Sequence, residues 1–170
     1  MNIAYHEISF DDLKDALING LKCTSRGDKG DDEHIIETDH MLDSQRPAIL
    51  REQGVSRDSN LYAYLASGDT VIDITDGQTI PLTTFVKRSK QAVLALTINP
   101  SRCFVSDLDA YDEVKSAFAN RSSASALRHL AERYWKTVVP LNEYAPFQIA
   151  RPELMITYDI SPTNLQHLKQ

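Results

Sequence analysis

The sequence predicts an α+β domain with a mainly antiparallel core, in one sheet or in two packed sheets, and helices on the outside. Three observations carry this expectation. Strand-like runs outnumber regular strand–helix alternations. The stretch "VIDITDGQTIPL" sets two apolar runs around an Asp76-Gly77 turn, which is a hairpin signal. The helical patterns are one-sided, as in helices that cover a sheet. A doubly wound parallel sheet fits this order less well. The 170 residues suit one domain, 1–170, long enough to bury a real core.

The elements follow in order. Asn2 to Tyr5 reads as a short strand, which places His6 at a strand end. Ser9 caps a helix, and Asp12 three positions on completes a capping-box pattern. Phe10, Leu13, Ala16 and Leu17 recur at helical spacing, and Gly20 supplies the stop. The stretch "TSRGDKGDDEH" is the most loop-like part, rich in glycine and charge. Pro47 and Gly54 bracket a short helix over roughly Pro47 to Gln53. "NLYAYLA" is a strand rich in β-formers, and the hairpin follows it. "QAVLALTI" (Gln91 to Ile98) is the most apolar run, the pattern of a strand buried on both faces. Asn99-Pro100 ends it, and "RCFVSD" resumes as a strand. "LDAYDEVKSAFAN" is a helix, and a second runs from Ser123 to Trp135 with Leu127, Leu130, Ala131 and Tyr134 on one face. Leu154, Ile156, Tyr158 and Ile160 alternate with Glu153, Met155, Thr157 and Asp159, which predicts a half-buried strand. Pro162 then opens a final helical turn carrying Leu165 and Leu168.

Charge and composition exclude several classes of function. A net charge of -6 argues against binding nucleic acid mainly through its phosphates, which needs a broad basic surface. The densest basic run is "FVKRSKQ" (Phe85 to Gln91), read as a solvated loop or helix end, with a local nucleotide contact as the alternative. No apolar run approaches the roughly 20 residues that span a bilayer. The start lacks a secretory pattern, so the expectation is a cytoplasmic protein with no membrane partner, export by an unmarked route being left open. Two cysteines, Cys23 and Cys103, are too few for a disulfide framework or a cysteine metal site. "HIIETDH" gathers His34, Glu37, Asp39 and His40, but meets neither a helical H-E-x-x-H nor a carboxylate-rich loop pattern, so no metal is expected. Cys103 with His129 could form a nucleophile and its base; Cys103 in "RCFVS" reads better as core. No G-x-S-x-G, P-loop or G-x-G-x-x-G occurs.

Three features carry candidate chemistry. His6 sits where a strand turns toward a helix, a place from which a rigid scaffold presents side chains. Tyr62 and Tyr64 share one strand face across Ala63, and two such rings can wall a flat ligand or simply fill a core. Glu153 opens the last strand, where a glutamate is otherwise a solvated edge charge.

Taken in order, "YHEIS" before a helix closing on "GL", then "NLYAYLA", then "RPELMITYDISP" resembles the ADP-ribosyltransferase superfamily. The resemblance is to its His-Tyr-Glu branch, which includes poly-ADP-ribose polymerases, diphtheria-type toxins and the DarT toxins. It implies an ADP-ribosyltransferase-like fold and NAD as substrate. It also implies a macromolecular acceptor, protein or nucleic acid, and the biology of a toxin or effector. By this resemblance Glu153 stabilises an oxocarbenium-like ribose, as carboxylates do in glycoside cleavage. Tyr62, with Tyr64 as second choice, stacks on nicotinamide, and His6 holds the far ribose. Glu7 and Ser9 follow the histidine, Glu7 standing where the polymerases have a glycine whose backbone holds the nicotinamide amide. Arg57 and Arg26 are candidate diphosphate partners through bidentate bonding. Arg151 stands two residues before Glu153, where the arginine-modifying toxins have a second glutamate. The alternatives are an inactive binding domain of the same shape and an RNA 2′-phosphotransferase-like enzyme. The latter calls for an Arg/His-rich site.

Overall fold

The computed structural model describes residues 2–169. Nine strands and six α-helices follow one another in this region. They are β1 (Ile3–Ile8), α1 (Phe10–Asn19), α2 (Glu33–Ser44), α3 (Ala48–Glu52), β2 (Leu61–Ser67), β3 (Thr70–Ile72), β4 (Thr79–Pro81), α4 (Leu82–Arg88), β5 (Ala92–Thr97), β6 (Cys103–Asp107), α5 (Leu108–Ala119), α6 (Ala124–Thr137), β7 (Val139–Pro140), β8 (Pro152–Ile156) and β9 (Leu165–Leu168). The strands run in the order β7-β6-β8-β2-β1-β5-β9, with β3 and β4 as a hairpin off β2. Every strand pairing among the described residues is antiparallel. The α+β class and the antiparallel core expected from the sequence are therefore observed.

The sheet forks at β2. Its first residues pair with β8, Leu61 with Ile156 through Ala63 with Leu154. Its next residues pair with β1, Tyr64 with Tyr5 and Leu65 with Ala4. On either side of this exchange the neighbours part: β1 continues along β5 as far as Ile8, and β8 continues along β6 to Pro152. His6 is thus not at the end of its strand, as the sequence suggested. It stands where β1 stops pairing with β2 while still pairing with Leu94 of β5.

Side-chain alternation sorts the core into one continuous face and one divided face. On the continuous face Leu61, Leu65, Leu94, Leu96, Leu154 and Ile156 pack with Ala16 of α1 and with Ile160. On the other face, α2, α5 and α6 cover β6 and β8 with Leu42, Tyr111, Val114 and Tyr134 over Phe104 and Met155. The second half of that face is covered by α4, whose Phe85 and Val86 pack with Tyr5, Ala66 and Val93. Tyr62 borders the first of these clusters and Tyr64 the second. The two covers leave a gap over β2.

Local signals explain most of the elements. Ser9 Oγ accepts from the Asp12 N–H at 3.2 Å and donates to the Asp12 carboxylate at 2.6 Å, the capping expected for α1. At its other end the Gly20 N–H donates to Ala16 O at 2.8 Å. Gly20 lies at φ +82, and a Cβ there would meet the Ile160 carbonyl oxygen at 2.2 Å, so glycine is required on both counts. The stretch after the loop, to which the sequence assigned no element, forms α2, capped by Asp32, with Asp39 and Leu42 buried. Two expectations need correction. β8 is buried on both faces rather than half-buried, since it lies between β2 and β6 under helices, and it ends at Ile156. Pro162 does open a helical turn, of 3-10 type, but it ends at Asn164, and Leu165 and Leu168 lie in β9, which pairs with β5. Among the described residues no helix is long and apolar enough to cross a membrane.

These constraints predict unequal costs for two glycine substitutions. Gly20→Ala should lower unfolding free energy by about 2 kcal/mol or more, combining left-handed strain with the clash on Ile160. Gly68, at φ +60 with nothing within 4 Å, should cost about 1 kcal/mol when replaced by alanine. Urea denaturation of the two variants checks the order.

Candidate functional site

His6, Glu7, Tyr62, Tyr64 and Glu153 line one cavity of about 210 Å³, together with Ala63, Ile74 and Gln91. It lies at the fork of the sheet, in the gap between the two helical covers. The sequence-derived candidates from β1, β2 and β8 are therefore neighbours, because β2 exchanges partners between Ala63 and Tyr64.

His6 Nδ1 lies 2.6 Å from the Tyr62 carbonyl oxygen, which can only accept, so the Nδ1–H donates. In the neutral ring the lone pair then belongs to Nε2. The bond spans the opening between β1 and β2 that lost pairing leaves. Glu7 is held on the next strand face: Tyr64 Oη donates to it at 2.6 Å, and Ser89 Oγ donates to its other oxygen. Burial, with the bond to Glu7, raises the Tyr64 phenol, which stays neutral. Tyr64 also meets Phe85 edge-on, with centroids 4.7 Å apart.

Glu153 is only 8% exposed. A carboxylate so placed needs a cation, and Arg57 Nη1 donates to Glu153 Oε2 at 2.6 Å. Arg57 is itself buried, at 2% exposure. Its Nε donates to Asp39 Oδ1 at 3.3 Å, and its guanidinium lies 4.5 Å from the centre of the Tyr62 ring and 4.2 Å from that of Tyr111. Burial opposes its charge, but the phenols and carboxylates around it outweigh burial, so it stays protonated. Arg26 completes the network, with Nε 3.1 Å from Asp39 Oδ2 and its guanidinium 4.3 Å from the Tyr62 ring centre. Burial raises the Asp39 carboxyl above the ordinary range, while Arg57 and Arg26 work against that rise.

These contacts revise several individual roles. Arg57 cannot be a diphosphate partner as placed, because its guanidinium is enclosed and committed to Asp39 and Glu153. Tyr62 lines the cavity, yet two guanidinium groups lie within 4.5 Å of its ring centre and its hydroxyl donates to Arg57 O. Tyr64 is the less encumbered of the two rings. Ser9 is engaged in capping α1 and does not line the cavity. Arg151 is turned away from the cavity, toward Asp109 and Asp112, each at 2.9 Å.

The other constellations resolve into structure. In "HIIETDH" Asp39 serves the two arginines, and His40 Nε2 pairs with Asp58 at 3.1 Å. Among the described residues no group of three or more His, Cys, Asp or Glu could hold a metal. Cys103 is fully buried, its Sγ donating to Asn99 O, and burial pushes its thiol up to about 12, whereas His129 is exposed on α6. Sequence reading missed Asp39 as the second anchor of Arg57, and Tyr111 and Tyr134 as the rings around it. Asp39 offered a signal, a carboxylate at a position where α2 turns inward. Compared with protein-family models, with curated proteins and with solved structures, the chain matches none.

Two outcomes follow. Arg57→Leu leaves buried Glu153 without a cation and Asp39 with Arg26 alone, and should destabilise the fold by about 3–5 kcal/mol, whereas Glu153→Gln keeps an acceptor for Arg57 and should cost under about 1.5 kcal/mol. Chemical denaturation separates them. At pH 8 the native protein should be alkylated at half-buried Cys23 well before Cys103, whose thiolate is scarce until the pH nears 12; peptide mapping after brief iodoacetamide exposure reads the order.

Proposed function

We propose that this chain is an ADP-ribosyltransferase that takes NAD as substrate and transfers ADP-ribose to a macromolecular acceptor. The observation that carries the proposal is the meeting of His6, Tyr62, Tyr64 and Glu153 in one cavity. These are the positions at which the sequence resembles the His-Tyr-Glu branch. The cavity is smaller than the roughly 300 Å³ at which drug-sized sites begin, so it suits the nicotinamide–ribose end, with the remaining dinucleotide running outside it.

In this reading Glu153 supplies the negative charge. As the bond between ribose C1′ and the nicotinamide nitrogen lengthens, its electron pair goes to the pyridinium ring and positive charge develops on the ribose. A carboxylate in a nearly dry site stabilises that charge more strongly than one in water. Arg57 has a double effect: it fixes the Glu153 carboxylate through Oε2 and draws off part of its charge. Asp39 on the far side of Arg57 returns part of it. Tyr64 borders the cavity as the wall for the flat amide ring, steadied by Glu7 and Phe85. Tethering Glu7 to Tyr64 and Ser89 also keeps its charge from an incoming diphosphate. His6, held through Nδ1 on the Tyr62 carbonyl, stands at the cavity as the residue that the resemblance sets beside the ribose. The acceptor completes the transfer by attacking C1′ as neutral nicotinamide departs, and its proton passes to water.

One observation favours a second reading. The direct Arg57–Glu153 bond partly neutralises the carboxylate, which suits a domain that binds the ligand without turning it over.

Incubating the protein with NAD and cell lysate, followed by mass spectrometry, separates the two. Wild type should release nicotinamide and leave ADP-ribose adducts, and Glu153→Gln should lower both by at least about 100-fold with its fold intact. NAD binding without nicotinamide release would favour the binding domain, and neither binding nor release would remove both readings.

A further inference from the structure

The basic run at the end of α4 and the last strand of the sheet, far apart in sequence, enclose a second cavity of about 360 Å³. Leu82, Val86 and Lys87 line it from α4, and His167, Leu168 and Lys169 from β9. Successive residues of a strand point to opposite faces. Neighbours of both parities along β9 line this cavity, so it follows the strand's edge rather than lying over one face. β5 occupies the other edge of β9 through pairs from Leu165 to Leu168, and β9 ends the strand order. The cavity therefore runs along the outer edge of the sheet, with α4 as its roof. Leu82 and Val86 from the roof and Leu168 from the strand supply its apolar lining.

The rim is basic. Lys87 and Lys169 line it beside His167, Arg88 and Lys90 follow in the chain, and no aspartate or glutamate takes part. Among the described residues none of these five makes an ion pair. That concentration is notable in a chain of net charge -6. Lysines on an edge strand deter most chains from pairing with it. They leave an acidic strand as the permitted partner. Single-stranded nucleic acid is the other anionic candidate, but its sites rely on aromatic rings for base stacking, and the lining here has no Phe, Tyr or Trp.

We infer that the outer edge of β9 under α4 is a docking groove for an extended acidic peptide, which adds to the sheet as a further strand. Its backbone would pair with β9, an alternate apolar side chain would enter between Leu82, Val86 and Leu168, and its carboxylates would meet Lys87 and Lys169. The inference does not depend on the reaction at the fork of the sheet.

The test is an immobilised library of eight-residue peptides with apolar residues alternating with glutamate or aspartate, set beside the same library with lysine at the acidic positions and an oligothymidylate of equal charge. The groove predicts selective capture by acidic peptides, slowed amide hydrogen exchange at 165–168, and binding that weakens as salt rises. Lys87→Glu with Lys169→Glu should weaken the best peptide at least about tenfold. Thr83→Trp, at an exposed position of the lining, should block the groove without changing charge. No enrichment of acidic peptides would overturn the inference. So would equal binding of the oligothymidylate, capture without protection of β9, or affinity unchanged in both variants.

Discussion

The bond between Arg57 and Glu153 is the interaction on which the site depends. Burying either charge is costly, since taking an ion out of water costs several kcal/mol unless a partner and hydrogen bonds restore it. Arg57 meets that demand with two carboxylates, Asp39 from α2 and Glu153 from β8, and with the faces of Tyr62 and Tyr111. A loop residue thus joins α2, β2, β8 and α5 through one guanidinium. The arrangement is costly to assemble, and its product is a single carboxylate of fixed orientation at the edge of a cavity.

The sheet explains why the cavity lies there. β2 pairs with β8 on its first half and with β1 on its second, so the strands that carry Glu153 and His6 diverge from it on opposite sides. Tyr62 and Tyr64 straddle the exchange. The helices cover the two arms separately, α2, α5 and α6 over one and α4 over the other, and between them the sheet is left open. Burial of Leu61, Leu65, Leu94, Leu154 and Ile156 on the opposite face holds both arms together. The fork is thus stabilised from behind, which lets its front carry polar groups.

Much of this was legible in the sequence, and what was not has a common cause. The cap at Ser9, the stop at Gly20, the hairpin around Gly77 and the apolar run of β5 are written within a few residues, where turn chemistry and periodicity operate. Glu153 and the two tyrosines are ordinary residues for their positions, and only their order along the chain, through the resemblance it carries, singled them out. Failures arose where a distant partner decides the outcome. α2 is held by Asp39 meeting Arg57 and by the Leu42 carbonyl accepting from Trp135 Nε1 at 2.8 Å. The last segment becomes β9 because β5 offers it an edge. Alternation after Glu153 suggested one wet face, yet both faces of β8 are covered by elements far away in the chain. Arg57 illustrates the limit most clearly, since a surface role and a buried one use the same residue type.

The central claim is that the cavity at the fork receives the nicotinamide end of NAD. Titrating NAD, nicotinamide and ADP-ribose into Glu153→Gln protein, with chemical shifts followed residue by residue, tests it without requiring turnover. The account predicts that nicotinamide and NAD shift Tyr64, Ala63 and their neighbours on β1 and β8, and that ADP-ribose shifts His6 more than Tyr64. Shifts confined to other surfaces, or none at millimolar NAD, would contradict it.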